Sequence, residues 1–310
     1  MKSSLIRYPT MHSQWFLEQD SANEGSFHSL KNILYSGKSE YQKIEVIVTG
    51  SYGKTLVLDG KVQSTEADEF IYHESFVHPA MVALEKPVSV LIAGGGEGAT
   101  AREIIRYPSI RQIDIVDLDQ KVIEIAKSYL SEWHQGTFMD EKVKVYYNDA
   151  RAFIEKSQKD YDLIFADLPE PFEESPALKL YTIEFYRAVH NALNDRGIFV
   201  TQATAATVNN YKTFIAIAST LKRVFPIVCP YTVNVPSFHA PWGFVLASKA
   251  EDPTLTDVQT IAGRIAHFRE RLKFYDEYLH RSLFCLPKYL REALEKETTI
   301  ITDSSPVSFY

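Results

Sequence analysis

The sequence predicts an α/β protein: a mostly parallel sheet with helices on both faces, preceded by a small antiparallel β domain. Three observations lead there. From Val88 onward, apolar runs of strand length alternate with segments of helical spacing, the rhythm of parallel strands joined by crossover helices. Before that point, Tyr41 to Thr49 alternates apolar and polar residues as a half-buried strand does, and turn signals bound two further short strands. At the head of the second region, Val88-Ser-Val-Leu-Ile-Ala93 opens directly into Gly94-Gly95-Gly96-Glu97-Gly98 and then a segment of helical spacing.

Taken in order, the strand Tyr41 to Thr49 leads through the turn Gly50-Ser-Tyr-Gly53 into a strand from Lys54 to Leu58. Asp59-Gly60 then makes a tight hairpin before Lys61 to Gln63. The exit, Ser64 to Glu74, is dense in acids and becomes helical towards Met81, which sets the expected domains at 1–78 and 79–310. In the second region, Gln112 to Val116 is a strand ending at Asp117-Leu-Asp119, followed by a helix from Gln120 to Tyr129. Val143 to Tyr147 ends at Asn148-Asp149-Ala150, Asp162 to Ala166 ends at Asp167, and Gly197 to Thr201 runs into Gln202. Helices from Tyr181 to Leu193 and Asn210 to Val224 separate the later strands. Ile227 to Val235 and Trp242 to Ala247 read as a closing hairpin, and Ile261 to Glu297 as mostly helical.

Composition narrows the function classes. At 310 residues, with 45% hydrophobic and 24% charged side chains, the chain has the make-up of a soluble globular protein with ample core. It has no run resembling a membrane span and no basic-then-apolar leader, so a cytoplasmic protein with no membrane partner is expected. A net charge of −7 argues against a nucleic-acid partner and permits a cationic substrate. Cys229 and Cys285 lack metal-ligand spacing and sit in apolar surroundings, which reads as buried thiols. The nine histidines form no metal set: His73, His78 and His134 lack ligand spacing.

The glycine cluster carries the first functional signal. Glycines let the backbone turn sharply and lie close to a ligand, and the helix behind them points free N–H groups at it. Asp117 follows roughly 20 residues later, where a ribose-binding carboxylate stands in such units. Glu97, Asp117, Asp149 and Asp167 all fall at the carboxyl edge of consecutive strands, the edge where open α/β sheets bind ligands. Each acid alone reads equally well as a helix cap. The set, beside a glycine loop, points to a nucleoside site.

With these residues in view, the sequence resembles the polyamine aminopropyltransferases: spermidine synthase, spermine synthase and their thermospermine and agmatine relatives. The resemblance runs from Tyr41 to the end. It rests on Leu58 to Glu69, Tyr72-His73-Glu74, the Gly94 to Gly98 loop, Asp149-Ala150, and Tyr161-Asp-Leu-Ile-Phe-Ala-Asp167-Leu-Pro-Glu170-Pro171. The glycine loop, Asn148 to Arg151, Lys179 to Thr182 and Thr201 to Ala203 look closest to the thermospermine synthase branch. Bacterial triamine/agmatine aminopropyltransferases share Glu132-Trp-His-Gln-Gly136.

The resemblance implies a Rossmann-like, methyltransferase-type sheet, with decarboxylated S-adenosylmethionine as co-substrate, a polyamine acceptor, and no cofactor or metal. It also implies a homodimer or homotetramer formed through the N-terminal β unit, which contributes part of the acceptor site. Gly94, Gly96 and Gly98 would form the donor loop, and Asp117 would hold the ribose hydroxyls. Asp149 and Ala150 would line the adenine, while Gln42 and Gln63 would border the nucleoside and thioether. Glu97 would face the donor's ammonium. Tyr72 and Asp167 would meet the attacking amine, with His73, Glu170 and Phe238 completing the acceptor site.

Those residue types suit that chemistry. The donor carries a sulfonium and an ammonium but no carboxylate, so an acid in the loop attracts it and repels intact S-adenosylmethionine. The nucleophile must be a free amine, yet such amines are almost wholly protonated near pH 7, with pKa about 10 by analogy with lysine. Asp167 is the candidate proton acceptor and Tyr72 the orienting hydroxyl. Pro169 to Pro176 reads as a loop, because its prolines exclude regular helix, and the resemblance implies that it gates both substrates, with Glu173 and Glu174 either contacting the acceptor or merely solvated.

Several positions depart from the spermidine synthase pattern: Glu97 for Asp, Glu170 for the second Asp of Asp-x-x-Asp-Pro, His73 for Gln, and Phe238 for Tyr. They suit a longer or differently charged amine than putrescine, such as spermidine (giving thermospermine) or agmatine, while the preferred acceptor, putrescine included, stays open. Two rivals stay open: a methyltransferase on the same sheet, and a non-catalytic polyamine-binding paralogue.

Overall fold

The computed structural model describes residues 14–19, 24–158, 160–172 and 175–308. The chain divides into two compact units between Ala67 and Asp68.

The N-terminal unit is a five-stranded antiparallel meander, β1 (Gln14–Gln19), β2 (Gly25–Lys38), β3 (Lys43–Thr49), β4 (Gly53–Leu58) and β5 (Lys61–Thr65), paired in chain order. β1 and β2 go beyond the sequence expectation. Their alternation is blurred because both faces of β2 stay partly exposed. The Asp59-Gly60 hairpin forms as expected, with Leu58 opposite Lys61 and both turn residues at positive φ, 47° and 80°. That backbone twist matches the twist of the flanking strands. Gln42 closes the turn before β3, its N–H donating to Ser39 Oγ at 3.1 Å, and Gln63 lies on β5.

The C-terminal unit holds a seven-stranded sheet built from β6 (Ser89–Gly94), β7 (Gln112–Asp117), β8 (Val143–Tyr147), β9 (Tyr161–Asp167), β10 (Leu193–Ala205), β11 (Ile227–Val235) and β12 (Ala240–Ser248). Its order is β11-β12-β10-β9-β6-β7-β8, with β8 to β10 parallel across the sheet and β12 and β11 antiparallel at one edge. This matches the expected fold class and its closing hairpin. The helices are α1 (Glu69–Met81), α2 (Ala99–Ile105), α3 (Gln120–Tyr129), α4 (Ser131–His134), α5 (Ala150–Lys156), α6 (Ile183–Ala192), α7 (Lys212–Leu221), α8 (Val258–Ile265), α9 (Leu279–Leu283) and α10 (Lys288–Lys296).

The central strands are apolar on both faces because both are covered. Val90, Ile92 and Phe165 pack with Phe76 of α1 on one side, while Leu91, Ala93 and Ile164 pack with Phe185 and Tyr186 of α6 on the other. Placing α1 on that face moves the unit boundary from the expected 78/79 to 67/68. Phe76, Val77, Ala80 and Met81 are fully buried in the core of the parallel sheet, so the helix belongs to it.

Two further expectations change. The C-terminal region is broken into α8, α9 and α10 with irregular chain between. Glu74 accordingly accepts backbone N–H groups from Lys273, Phe274 and Tyr275 at 2.8–2.9 Å where no helix could satisfy them. The thiols are not buried: Cys229 is half-buried on the edge strand β11 and Cys285 is exposed beyond α9.

Candidate active site

The sheet order reverses between β6 and β9, the position at which open α/β sheets present a crevice. There Gly94 lies opposite Asp167, and Gly95 N–H donates to Asp167 O at 3.0 Å. Only glycine fits this contact: Gly94 has φ of +78°, and a Cβ on it would lie 2.3 Å from Asp167 O. At Gly96 a Cβ would come within 2.7 Å of Asp117 Oδ2, so the loop also lies against the end of β7.

The acids expected at the sheet edge stand there, across four adjacent strands. Asp117 Oδ1 accepts the Asp119 N–H at 2.8 Å. Burial pushes its carboxyl up to about 6, against hydrogen bonds from the Asp119 and Gly96 N–H groups. Asp149 caps α5 through the Ala152 N–H at 2.8 Å and is exposed, with Ala150 buried beside it. From Asp167 to Asp149 is three strand spacings, about 14 Å.

Asp167 is held from two sides. Tyr72 Oη donates to Oδ1 at 3.0 Å and Thr100 Oγ1 to Oδ2 at 2.6 Å. Tyr72 stands on an aromatic bed of Phe76 and Phe244, with ring centroids 5.7 and 5.1 Å away. Burial and the adjacent Asp167 push its phenol well above the usual range, so it stays a donor.

His73, one residue along α1, meets the glycine loop: its Nε2 lies 2.6 Å from Glu97 Oε1. Its Nδ1 lies 2.9 Å from Glu69 Oε2 and 2.8 Å from Glu69 O. Burial disfavours the imidazolium, but Glu97 and Glu69 outweigh it and hold the ring at about 10. Glu97 itself is raised by burial, opposed by His73. Its second oxygen, Oε2, is buried without a hydrogen-bond partner.

Phe238 sits edge-on to Tyr72 at 6.1 Å and to Trp242 at 4.8 Å. Glu170 is buried on the segment after β9, close enough for its charge to raise the Tyr181 phenol further after burial. That segment is non-helical from Leu168 to Phe172 and is tethered at its base. Tyr181 Oη donates to Pro169 O at 3.1 Å, and Gln202 Nε2 donates to Leu168 O at 3.0 Å. Glu173 and Glu174 lie outside the described residues.

The structure thus brings Tyr72, His73, Glu97 and Asp167 into one cluster, with Asp117 against the same loop. Gln42 and Gln63 stand on the N-terminal unit. Sequence reasoning missed Thr100, Glu69 and Arg102. Glu69 had a signal, its i,i+4 spacing to His73 on one helix face. Arg102 had none, since its two carboxylate partners come from different helices.

Comparison with known proteins follows the same division. A family model described as the spermine/spermidine synthase domain matches residues 69–257, and one described as the spermidine synthase tetramerisation domain matches residues 14–66. The polyamine aminopropyltransferase of Sulfolobus acidocaldarius is 43% identical over 298 residues, covering 95% of this chain and 97% of that protein. Polyamine aminopropyltransferase 2 of Hyperthermus butylicus is 41% identical over 291 residues, covering 94% and 95%. A crystal structure of spermidine synthase in complex with the transition-state analogue AdoDATO superposes with a TM-score of 0.86 at 30% identity, covering 94% of this chain and 97% of that one.

Proposed function

The chain belongs to the spermine/spermidine synthase family and is an aminopropyltransferase, and we propose that it alkylates an amine longer or differently charged than putrescine, with spermidine and agmatine as the first candidates. The donor is decarboxylated S-adenosylmethionine. The observation that carries the assignment of the donor site is the buried, unpartnered Oε2 of Glu97 on a glycine loop that also touches Asp117. It supplies a hydrogen-bond acceptor and negative charge for the donor's ammonium, while Asp117 accepts from the ribose hydroxyls and Ala150 lines the adenine.

The transfer is an in-line displacement. The acceptor nitrogen attacks the propyl carbon bound to sulfur, the carbon–sulfur bond breaks, and sulfur keeps the electron pair as neutral methylthioadenosine leaves. Asp167 takes the proton of the acceptor ammonium, and Tyr72 and Thr100 hold its carboxylate in place. Orientation of nitrogen and carbon at about 3–3.5 Å supplies most of the rate.

Intact S-adenosylmethionine fits this site poorly. Its carboxylate would meet Glu97, and the cations beside the loop, His73 and Arg102, are already paired with carboxylates. The acceptor preference rests on Phe238, which offers a ring and no hydroxyl beside Tyr72, and on the buried Glu170. The N-terminal match supports a homodimer or homotetramer. The test is incubation with decarboxylated donor and putrescine, agmatine, spermidine or norspermidine in turn, with products identified by mass. Putrescine as the best acceptor overturns the acceptor assignment, and a methyl gain from intact S-adenosylmethionine overturns the donor assignment.

A further inference from the structure

Behind Glu97 runs a row of charges of alternating sign, buried or partly buried, that the transfer step does not itself use. Glu97 meets His73, and His73 meets Glu69. Both oxygens of Glu69 are gripped by Arg102, Nη1 to Oε1 at 3.0 Å and Nη2 to Oε2 at 2.9 Å. Arg102 is fixed in turn by Glu103, Nε to Oε1 at 2.8 Å, and by Trp133 O at 2.7 Å from Nη1. Glu103 then pairs with Arg106. The row ends on the loop at Glu97 Oε2, a position that calls for one more cation.

Both nitrogens of His73 face carboxylate oxygens, and only a ring protonated on both can donate to both. A neutral ring here would keep its proton on Nδ1, because the backbone carbonyl of Glu69 at 2.8 Å can only accept. Nε2 would then turn a lone pair towards Glu97 Oε1, and Glu97 would swing away or take a proton.

We propose that Glu69, clamped by Arg102, is a positioning residue that keeps His73 protonated on both nitrogens and so holds Glu97 ionised with Oε2 aimed at the donor's ammonium. This rests on the donor site assigned above. Among the described residues, the other titratable groups facing the pair are Tyr72 on α1, its ring 5.0 Å from that of His73, and Asp167 at the end of β9, whose charge acts on Glu97; Glu103 stands behind Arg102, and Asp117 lies across the loop at Gly96. His134 on α4 lies against Gly98, where burial, with Lys127 nearby, pushes its imidazole below the ordinary histidine range. The two nearest the pair, Tyr72 and Asp167, are accounted for by their mutual hydrogen bond.

The test combines a titration with kinetics. In the wild-type enzyme without substrate, the His73 ring resonances should not titrate between about pH 6 and pH 9. In Glu69→Gln they should titrate within about two units of the ordinary histidine value near 6.5. The KM for decarboxylated donor in that variant should rise roughly ten- to a hundredfold as pH increases through the same midpoint, with a much smaller change in kcat. Glu69→Asp, which keeps the charge, should restore most of the donor affinity. Methylthioadenosine lacks the ammonium, so its binding by Glu69→Gln should match wild type and reports a folded site.

A wild-type His73 that titrates near 6.5, or a donor KM in folded Glu69→Gln that stays flat with pH, overturns the proposal. Should Glu69→Gln not fold, the wild-type titration alone decides. If the wild-type enzyme does not use decarboxylated donor at all, the functional assignment fails instead, and the substrate-free titration distinguishes the two.

Discussion

Replacing Asp167 with Asn separates proton removal from everything else the residue does. Its carboxylate accepts from two hydroxyls, Tyr72 at 3.0 Å and Thr100 at 2.6 Å. An amide of the same shape can keep both contacts, because a hydroxyl that donates to one atom can rotate and accept from another. The fold should therefore lose less than about 1 kcal/mol, the scale of one hydrogen bond exchanged for another. What vanishes is the proton acceptor, worth about 10²–10⁴ in rate. That loss corresponds to roughly 2.7–5.4 kcal/mol on the barrier. Methylthioadenosine release is measured at saturating donor and acceptor, with nucleoside affinity determined separately by calorimetry. The expected outcome is a kcat lowered at least a hundredfold with methylthioadenosine affinity unchanged within about threefold. A kcat above about one third of wild type would refute Asp167 as the base, and a parallel loss of nucleoside affinity would show that Asn disturbed the loop.

The remaining expectations concern the loop around it. Glu97→Gln should raise the KM for decarboxylated donor roughly ten- to a hundredfold and leave methylthioadenosine binding unchanged. It should also relax the rejection of intact S-adenosylmethionine, measured as competitive inhibition; equal donor KM in variant and wild type would contradict the assignment. Gly94→Ala combines a left-handed backbone with a 2.3 Å contact to Asp167 O and should cost roughly 2–4 kcal/mol in denaturant unfolding, with activity lost. Nucleoside binding should weaken as pH falls through about 6, where Asp117 takes a proton. The same raised value has the opposite consequence for folding. A carboxyl that binds its proton more readily when folded makes the fold less stable as pH rises from about 4 to about 6. Calorimetric titration with methylthioadenosine and thermal unfolding across that range check the two signs, and Asp117→Asn should flatten both.

The parallel sheet was legible because covered strands must be apolar and crossover helices must be amphipathic, so β6 to β10 announce themselves by rhythm. The glycine loop was legible for a local reason: a backbone that turns at positive φ against a neighbouring strand admits only glycine at Gly94. The acids Glu97, Asp117, Asp149 and Asp167 were found because strand ends share one edge in this topology. Strands β1 and β2 were not, since partial exposure on both faces erases the period-two signal. The α1 boundary was misplaced because acids and aromatics at its start resemble a loop until the sheet they pack against is known.

Taken alone, the sequence determined the α/β class, the glycine loop and the sheet edge that carries a loop acid and three strand-end acids, all properties of spacing along one chain. Only the tertiary structure decided how those groups are charged and aimed. His73 is flanked by carboxylates from the loop and from its own helix, Arg102 reaches between helices to clamp Glu69, and Thr100 shares Asp167 with Tyr72. Burial and proximity set protonation and orientation, and both depend on which residues meet from distant parts of the chain.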